Sequence, residues 1–474
     1  MNYFLGFDSS TQGLSAVITE LDTGCIVGEY ALNFDTDLPE YPTDNGVLTS
    51  TDPLVSHSDP AMWAAALDRL FSIMQQAGAP LSDLVGISGS GQQHGTVYLS
   101  SDFRVRDRWC WTDGLAAMVK PMLTRPTSPI WMDSSTSVEC AEIAEAAGGM
   151  EAVRERSGSS VIERFSGPQI RKFWKEDPDA YCQTGVIHLV SSFMASLLAG
   201  CNTAIDTGDG AGMNLMNLAA GSWDEVLLQA TAPDLAGKLP AVVPSSTVAG
   251  RIAPYFAERY GVAPDCRIVV WSGDNPNSLI GVGGYKPGVA VVSLGTSDTY
   301  FAAMSRPMVD PAGHGHVFGN PAGGYMSLIC FKNGSLARES VRETFGLDWA
   351  GFEVCLEETP AGNHGNMMLP YFVPEITPVV LDARPQYRGS EAFVNGDDTA
   401  ARVRAVVEAQ AMRLKLHSAW ISDRPTRLHV TGGASANTAI CQVLADVFRA
   451  HVERLDTGNS AALGAAMRAA NGAG

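Results

Sequence analysis

The sequence predicts an α/β fold made of two similar halves. Predicted strands alternate with predicted helices along the chain, which is typical of a sheet covered by helices. In addition, residues 6–13 (GFDSSTQG) and residues 293–298 (SLGTSD) each join two apolar strands through a tight Gly/Ser/Thr turn. Each pattern predicts a β-hairpin whose polar tip offers N–H groups and hydroxyls to an oxyanion. Two facing tips would hold a polyphosphate, so the repeat favours a kinase or an ATPase.

The composition is typical of a globular protein with at least two domains. The chain has 474 residues, of which 45% are hydrophobic and 18% are charged, enough to bury a sizeable core. Its formal net charge of −19 would repel the phosphates of nucleic acid, so we expect no such partner. The charge does not exclude ATP, because backbone amides and Mg²⁺ bind nucleotides locally.

The sequence predicts a cytoplasmic protein without membrane contact. No apolar run approaches the ~18 residues of a membrane span. The first residues have no basic segment, and Asp8 interrupts their short apolar stretch, so we expect no signal peptide. The nine cysteines form no CxxC pair, which argues against a disulfide framework and against structural zinc.

The first hairpin is followed by a strand, a loop, a helix and another strand. Residues 25–31 continue as a strand, and residues 35–56, rich in Pro, Asp, Thr and Ser, predict a long loop. Residues 58–60 (SDP) predict a helix start, with apolar residues following at helical spacing. Residues 84–88 predict a short buried strand that ends in the Gly-flanked loop 89–95 (GSGQQHG).

The second part of the chain repeats the order of strand, turn and helix. Residues 267–271 predict a strand, with SGDNPNS (272–278) at its carboxyl end. The Gly/Pro-rich stretch 281–288 predicts a boundary between domain 1–284 and domain 285–474. Residues 427–431 predict a strand that leads through Gly432 and Gly433 into an amphipathic helix. An Ala/Gly-rich tail ends the chain.

Two carboxylates are candidates for phosphoryl-transfer chemistry. Asp8 lies at the end of a strand beside a hairpin tip, where it could hold Mg²⁺ through water next to phosphates. Asp274 follows a buried strand, where it could accept the proton of a substrate hydroxyl. The alternative for either residue is an Asp that bonds the backbone of its own turn, and both interpretations stay open on the residues alone.

Other motifs suit a nucleotide or a polyol. Gly295 and Thr296 echo the first hairpin, and Gly432-Gly433 precedes a helix N-terminus, although each is also ordinary turn chemistry. The amides of Gln92 and Gln93 and the His94 imidazole both donate and accept, as recognition of a neutral polyol requires. WTD (111–113) and WMD (131–133) each place a Trp platform beside a carboxylate, yet most Trp residues are core.

Several known signatures are missing from the sequence. There is no GxxxxGK[ST] motif and no GxGxxG fingerprint, which argues against a P-loop kinase and a dinucleotide-binding fold. Residues 433–437 (GASAN) lack the closing Gly of a nucleophile elbow, so a hydrolase is the weaker enzyme class.

Taken together, the motifs at 6–11, 88–95, 273–276, 293–298 and 431–435 resemble, in order and over nearly the whole chain, the FGGY carbohydrate kinases. Residues 131–136 (WMDSST), 331–336 (FKNGSL) and 442–448 (QVLADVF) are most similar to the animal-type branch of the xylulose kinases. The resemblance implies a two-domain, actin-like (ribonuclease H-like) ATPase fold with a central cleft. It implies an N-terminal sugar-binding and catalytic domain and a C-terminal nucleotide-binding domain.

The resemblance also implies an activity and a set of site residues. The activity is transfer of the ATP γ-phosphate to the terminal 5-hydroxyl of D-xylulose, with Asp274 as general base and Asp8 at Mg²⁺. The sugar-binding residues that it implies are Gln93, His94, Asp133, Arg164, Asp274 and Asn275. The ATP-binding residues are Ser10, Thr11, Gln12, Gly295, Thr296, Trp349, Gly432, Gly433 and Asn437.

Some features depart from the family pattern or leave alternatives. The Trp-Asn-Asp motif of bacterial relatives has two partial copies, and we favour Asp133 over Asp113 because Ser134-Ser135-Thr136 continues the animal-type pattern. Gln169 stands where that pattern has Asn before Gln. The alternatives are a sibling kinase for ribulose, fuculose, glycerol or another polyol, and a non-catalytic actin-like ATP sensor. The partners expected are a small sugar and ATP, with a homodimer left open.

Overall fold

The computed structural model describes residues 2–104, 113–455 and 458–474 and divides into two compact units. The first unit comprises Met1–Gly281, Phe318–Gly324 and Asn459–Gly474, and the second comprises Val282–Val317 and Tyr325–Gly458. The change of unit after Gly281 falls within the Gly/Pro-rich stretch at which the sequence predicts a boundary. The last segment, Asn459–Gly474, belongs to the first unit, whereas the predicted division assigns it to the second domain.

The first unit contains a seven-stranded sheet. Its strands are β1 (Tyr3–Ser9), β2 (Gly13–Glu20), β3 (Cys25–Asn33), β4 (Leu84–Gly91), β5 (Val248–Arg251), β6 (Arg267–Val269) and β7 (Ser272–Gly273). The order is β5–β6–β4–β1–β2–β3, with β7 also beside β4. The pairs β1–β2 and β2–β3 are antiparallel, as in a hairpin meander, whereas β4 runs parallel to β1, β6 and β7. The first predicted hairpin is therefore confirmed.

The second unit repeats this arrangement. Its main strands are β8 (Val289–Leu294), β9 (Asp298–Met304), β10 (Tyr325–Phe331), β11 (Arg427–Thr431) and β12 (His451–Arg454). They lie side by side in the order β10–β9–β8–β11–β12. The hairpin β8–β9 is antiparallel and β11 runs parallel to β8, as β4 does to β1. In both units a strand with a Gly-rich end thus lies next to the first strand of the hairpin.

Helices and short strand pairs complete the two units. The helices of the first unit are α1 (Phe34–Asp37), α2 (Pro60–Gln76), α3 (Leu115–Val119), α4 (Ser137–Ala146), α5 (Met150–Ser157), α6 (Ser166–Glu176), α7 (Pro178–Gln183), α8 (Val190–Ala199), α9 (Thr207–Gly210), α10 (Glu225–Thr231), α11 (Pro254–Tyr260), α12 (Asp274–Gly281) and, at its end, α18 (Ser460–Ala473). Those of the second unit are α13 (Ser335–Thr344), α14 (Trp349–Glu358), α15 (Glu391–Asn395), α16 (Thr399–His417) and α17 (Thr438–Phe448). The two-stranded sheets pair Thr43–Asp44 with Val47–Leu48, His57–Ser58 with Ser128–Pro129, Thr96–Ser100 with Thr184–Leu189, Ile205–Asp206 with Val242–Val243, Met216–Asn217 with Ser222–Trp223, Met367–Leu369 with Gln386–Arg388, and Glu375–Ile376 with Val379–Val380.

Helix α2 shows how local sequence fixes an element and its burial. Asp59 caps its first turn by accepting from the backbone N–H of Ala61 at 2.8 Å, and Pro60 occupies the first helical position, as the sequence predicts. The apolar face, with Trp63 and Phe71 fully buried, packs into the main core of the first unit. Because Phe71 contacts Phe7 of β1 at a ring distance of 5.5 Å, this core supports the strand that carries Asp8.

Two local expectations are wrong in detail. The predicted loop at 35–56 includes most of the helical turn α1, because the Asn33 side chain accepts from Asp35 N and Thr36 N. The strand predicted at 267–271 ends at Val269, and a separate short strand follows at Ser272–Gly273.

Among the described residues, every helix is too short or too polar to cross a lipid bilayer.

Candidate active site

Three neighbouring strand ends in the first unit carry polar side chains. In the register of the sheet, Asp8 of β1 is paired with Ser90 of β4, and Ser90 is paired with Ser272 of β7. Both pairs are parallel, so the three side chains lie at the same edge of the sheet, where α/β proteins bind ligands. Asp274 follows β7 directly and is the first residue of α12.

Asp274 has the environment of a proton acceptor. Its Oδ1 accepts from the backbone N–H of Asn275 at 2.7 Å and from Asn275 Nδ2 at 2.9 Å. Burial, followed by repulsion from Asp8, raises the pKa of Asp274 to about 7, although N–H groups of Asn275 and Gln93 stabilise its charge. A carboxyl that titrates near neutral pH can take a proton from an alcohol and release it again.

Asp8 offers an unpaired oxygen at the end of β1. Burial raises the pKa of Asp8 to about 6, against a hydrogen bond from Ser90. Its Oδ1 is buried and has no hydrogen-bond partner in the part of the chain that the structure describes. One free carboxylate oxygen fits Mg²⁺, which takes one or two carboxylates and completes its shell with phosphates and water. Within the same residues there is no cluster of three or more His, Cys, Asp or Glu that would hold a metal without a substrate.

The loop after β4 holds Gln93 and His94 rigidly. His94 has a φ of 73°, and its Nδ1 lies 2.7 Å from the Gly212 carbonyl oxygen. Because a carbonyl only accepts, Nδ1 carries a proton. The ring packs edge-on against Phe165 at 4.6 Å, and the His94 carbonyl accepts from Ser166 Oγ at 3.0 Å. The sequence shows the polar loop but not these contacts, which join residues far apart in the chain.

Gln93 connects this loop to Asp274. Its Oε1 accepts from Asn275 Nδ2 at 2.9 Å, and Asn275 Nδ2 also donates to Asp274 Oδ1. The structure thus brings together four predicted residues, namely Gln93, His94, Asp274 and Asn275. A Cβ on Gly273 would lie 2.5 Å from Gln93 Cγ, so the glycine before Asp274 is what lets the Gln93 side chain approach.

Arg164 lies in a turn next to the same loop. It is half-buried, directly before the Phe165 and Ser166 that contact His94. Among the described residues, no hydrogen bond or ion pair is made by its side chain.

Asp133 is committed to contacts within the protein. Its Oδ1 accepts from Ser135 Oγ at 2.6 Å and from Gln169 Nε2 at 2.8 Å, and its Oδ2 accepts from the Ser56 N–H at 3.0 Å. Burial opposes its charge, but hydrogen bonds from His57, Ser135 and Ser56 hold the pKa of Asp133 well below its usual range. Sugar binding by Asp133 stays a prediction, and it requires one of these donors to move. The alternative, Asp113, is exposed, and Trp111 and Thr112 lie outside the described residues.

A further buried acid near Gln93 was not among the predicted site residues. Asp209 of α9 is fully buried. Besides burial, the pKa of its carboxyl is influenced by the charge of Asp274, which raises it, and by the Gln93 side chain, which lowers it. The only sequence signal is the spacing of two Asp residues in IDTGDGAG (205–212), which is indistinguishable from ordinary turn chemistry.

The first hairpin tip is closed and linked to its surroundings. Ser10 donates through both its N–H and its Oγ to the Gly13 carbonyl, each at 3.0 Å. Thr11 Oγ1 accepts from Trp131 Nε1 at 2.9 Å. Gln12 completes the turn and is exposed. The tip therefore has a fixed shape, with hydroxyls at its rim.

In the second unit, the tip of the corresponding hairpin, β8–β9, is exposed and is attached to α13. Gly295 and Thr296 lie between β8 and β9, and the Gly295 carbonyl accepts from the Ser335 N–H of α13 at 2.8 Å. Asp298 forms a buried ion pair with Arg338 at 3.0 Å, which holds the hairpin against α13. Thr296 is exposed.

The Gly432-Gly433 turn follows β11, the strand beside this hairpin. Gly432 has a φ of +87°, and a Cβ there would lie 2.5 Å from the Leu294 carbonyl oxygen. By contrast, a Cβ on Gly433 would meet nothing within 4 Å. The first glycine is required by the fold, and the second leaves open space above the backbone.

Asn437 and Trp349 start the two helices next to this turn. Asn437 caps α17 by accepting from the Ile440 N–H at 3.0 Å. Trp349 begins α14 and is 43% exposed. The Arg342 guanidinium lies over its ring, 5.0 Å from the ring centroid. Glu353 of α14 accepts from Thr438 Oγ1 at 2.9 Å, which joins the two helix starts. This hydrogen bond connects the helices that begin at Trp349 and after Asn437.

Comparisons with known proteins agree with this arrangement. The xylulose kinases of Rattus norvegicus and Mus musculus are each 40% identical to this chain over 99% of its length, covering 88% and 85% of theirs. The crystal structure of a xyloylose kinase from Brucella ovis matches with a TM-score of 0.82 and 25% identity, over 99% of this chain and 90% of that one. This likeness confirms the predicted two-domain α/β fold, which is consistent with the actin-like ATPase type.

The family models cover most of the chain. The model described as the N-terminal domain of the FGGY family of carbohydrate kinases matches residues 127–281, and the model of its C-terminal domain matches residues 290–473. Together with relatives at 40% identity over nearly the full length, these matches confirm the resemblance found in the sequence and the prediction of a carbohydrate kinase. The chain therefore belongs to the FGGY family of carbohydrate kinases.

Proposed function

We propose that this kinase transfers the γ-phosphate of ATP to the 5-hydroxyl of D-xylulose. The observation that carries the proposal is the 40% identity to two xylulose kinases over 99% of the chain. The geometry supports it, because Asp274, with a pKa near 7, is hydrogen-bonded to Asn275 and through it to Gln93. Amides and an imidazole suit the hydroxyls of a neutral sugar.

In this mechanism Asp274 is the general base. Its Oδ1 is held by Asn275, so Oδ2 accepts the proton of the 5-hydroxyl as the oxygen attacks phosphorus. Gln93, His94 and Asn275 orient the sugar, and Arg164 binds a further oxygen of it. Phosphoryl transfer depends mainly on such positioning and on charge stabilisation.

The phosphate-binding residues of this proposal lie in the two hairpin tips. They are Ser10, Thr11 and Gln12 in the first hairpin and Gly295 and Thr296 in the second. Gly432, Gly433, Asn437 and Trp349 bind the nucleoside. Asp8 would hold Mg²⁺, which would supply positive charge to the phosphate oxygens.

A substrate panel tests the proposal. The protein is incubated with Mg-ATP and, in turn, D-xylulose, ribulose, fuculose, glycerol and no sugar, and ADP release is measured. We expect kcat/KM to be highest for D-xylulose, with phosphorus and carbon NMR locating the ester on carbon 5. A higher kcat/KM for another polyol would identify a sibling kinase, and sugar-independent ATP turnover would favour an ATP sensor.

Asp274→Ala examines the base separately from the substrate. We expect turnover to fall about 10²- to 10⁴-fold, the usual contribution of general base catalysis, with the affinity for ATP nearly intact. Wild-type turnover by this variant would refute the assignment of Asp274. A cytoplasmic location and a homodimer stay predictions, and sizing of the purified protein tests the second.

A further inference from the structure

Asp209 is a buried acid beside the sugar loop that has no role in the mechanism above. It lies in the short helix α9, where its N–H donates to Asp206 Oδ1 at 2.8 Å. Its Oδ2 accepts from Ser191 Oγ of α8 at 2.5 Å. One oxygen and the backbone of Asp209 are therefore fixed by the scaffold of the first unit.

The other oxygen of Asp209 and the Gln93 amide nitrogen are both unsatisfied. Among the described residues, neither Asp209 Oδ1 nor Gln93 Nε2 has a partner within standard hydrogen-bond geometry, and both atoms are buried. Burial raises the pKa of the Asp209 carboxyl well above its usual range, and the Gln93 side chain lies close enough to oppose this rise as a donor facing the carboxyl. The Gln93 amide thus faces a group that accepts.

Neighbours on both sides determine which way the Gln93 amide is oriented. Asp274 Oδ1 accepts from two N–H donors of Asn275, so the Asn275 amide presents nitrogen to Asp274 and to Gln93. Gln93 must then present Oε1 to Asn275, which directs Nε2 the other way. An oxygen at 209 that accepts favours that same orientation, whereas an amide there would permit either one.

The packing around Gln93 leaves rotation of the amide as its main freedom. Cβ atoms on Gly273 and Gly212 would lie 2.5 Å from Gln93 Cγ and 3.3 Å from Gln93 Nε2, respectively. The side chain is therefore enclosed by backbone on two sides and cannot simply move away. If the amide turned by 180°, it would place an NH₂ group against the Asn275 NH₂ group and lose the 2.9 Å hydrogen bond.

We propose that Asp209 is a positioning residue, which holds the Gln93 amide in the orientation that keeps Asn275 and Asp274 aligned for the sugar. The proposal rests on the proposed function, since it assigns Gln93 and Asn275 to sugar binding. Asp209 does not touch the substrate and acts only through Gln93. Replacing Asp209 should therefore change sugar affinity and turnover, and it should leave ATP affinity unchanged.

An exchange of donor and acceptor tests this role. In Asp209→Asn the amide at 209 can donate to Gln93 Oε1 and turn Gln93, so we expect the KM for sugar to rise about tenfold or more, with a smaller fall in kcat. In Gln93→Glu two carboxyl groups face each other, and sugar affinity falls as well.

In the double variant D209N/Q93E, the amide introduced at position 209 donates to the carboxylate introduced at position 93. That carboxylate still accepts from Asn275, and the formal charge of the pair is unchanged. We expect the double variant to recover at least about fivefold in kcat/KM over the weaker single variant, a coupling of hydrogen-bonded neighbours.

Controls separate positioning from folding. Ser191→Ala removes the other partner of Asp209 and leaves the carboxyl facing Gln93, so we expect lower thermal stability with the KM for sugar within about twofold of wild type. The KM for ATP should stay unchanged in all variants. Each variant is assayed with the sugar on which the wild-type enzyme is most active, so that the wrong sugar in the proposed function does not count against Asp209.

Three results would overturn the proposal. The first is a wild-type KM for sugar in Asp209→Asn. The second is an equal effect of Asp209→Asn in the wild type and in a Gln93→Ala background, which would show that Gln93 does not transmit it. The third is failure of both Asp209→Asn and the double variant to fold, which would make Asp209 a structural residue only.

Discussion

Asp274 and Asp8 are two carboxyls with raised pKa values at neighbouring strand ends. Burial is the main cause for both residues, and for Asp274 the charge of Asp8 adds to it. A folded protein keeps such costly groups where function requires them, so perturbed carboxyls in one place indicate an active site.

The pKa of Asp274 predicts the pH dependence of turnover. A general base acts only when ionised, so kcat/KM, which reports the free enzyme, should fall as the pH drops below about 7, approaching a tenfold loss per pH unit. The measurement is kcat/KM at subsaturating ATP and sugar between about pH 5 and about pH 9, at constant free Mg²⁺. A kcat/KM that stays constant from about pH 8 down to about pH 5 would contradict a base with this pKa.

The same shift predicts that removing the charge stabilises the protein without ligands. Asp274 has a folded pKa of about 7 against an ordinary value of 3.8, so the folded state binds the extra proton between these values. Stability therefore falls as the pH rises from about 4 to about 7, and it stays low above that range. Asp274→Asn removes this cost, so its free energy of unfolding should exceed that of wild type by on the order of 1 kcal/mol or more at about pH 8 and match it near pH 4.

Urea unfolding at the two pH values measures this effect. The exposed Asp265→Asn is a matched control, because Asp265 pairs with Arg251 at the surface and surface pairs contribute little. Equal stability of Asp274→Asn and wild type at the higher pH would mean that burying the ionised Asp274 carboxylate does not destabilise the folded protein.

At the scale of elements, the strand–turn–strand pattern of each hairpin is sufficient to predict it. Local alternation and turn residues specify β1–β2 and β8–β9, and a strand followed by Asp specifies the position of Asp274. The contacts that define the site could not be predicted in this way. Gly212 fixes the His94 ring from 118 positions away, and donors such as Ser56, 77 positions distant, saturate Asp133. Single-sequence patterns carry no signal for such tertiary pairs.

The two glycines after β11 should respond differently to substitution. Gly432→Ala puts a Cβ 2.5 Å from the Leu294 carbonyl oxygen at a φ of +87°, so we expect a loss of about 1–3 kcal/mol in unfolding free energy. Gly433→Ala meets no neighbour within 4 Å and should change stability by less than about 1 kcal/mol. Because the proposed nucleotide approaches the backbone at this turn, Gly433→Ala should instead raise the KM for ATP several-fold.

Thermal unfolding and ATP-dependent kinetics together check this pair. The KM for sugar at saturating ATP is the internal control and should stay constant in Gly433→Ala. If Gly433→Ala left the KM for ATP unchanged, the open space above Gly433 would not be part of the nucleotide site.

At the scale of the whole molecule, the chain returns to the first unit with its last helix. A Cβ on Gly6 of β1 would lie 2.0 Å from the Ala462 carbonyl oxygen of α18, so strand and helix backbones are in close contact. The buried face of α18 consists mainly of small residues, such as Ala465 and Ala469, which permit this approach. An Ala/Gly-rich tail is therefore a packed element of the first unit, a role that its composition alone does not reveal.

Arg468 of α18 should be essential for the stability of the first unit. Its guanidinium is buried, donates to Asn277 Oδ1 at 3.0 Å and to the carbonyls of Ser245 and Val270 at 2.7 and 2.8 Å, and lies 3.9 Å from Asp206. Arg468→Met would remove these hydrogen bonds and the positive charge beside the buried Asp206 carboxylate, so we expect a loss of about 3–5 kcal/mol. The exposed Arg251→Met, which breaks only the surface pair with Asp265, should lose less than about 1 kcal/mol. Urea unfolding of both variants is the measurement, and equal midpoints would mean that the first unit is held together without its C-terminal helix anchor.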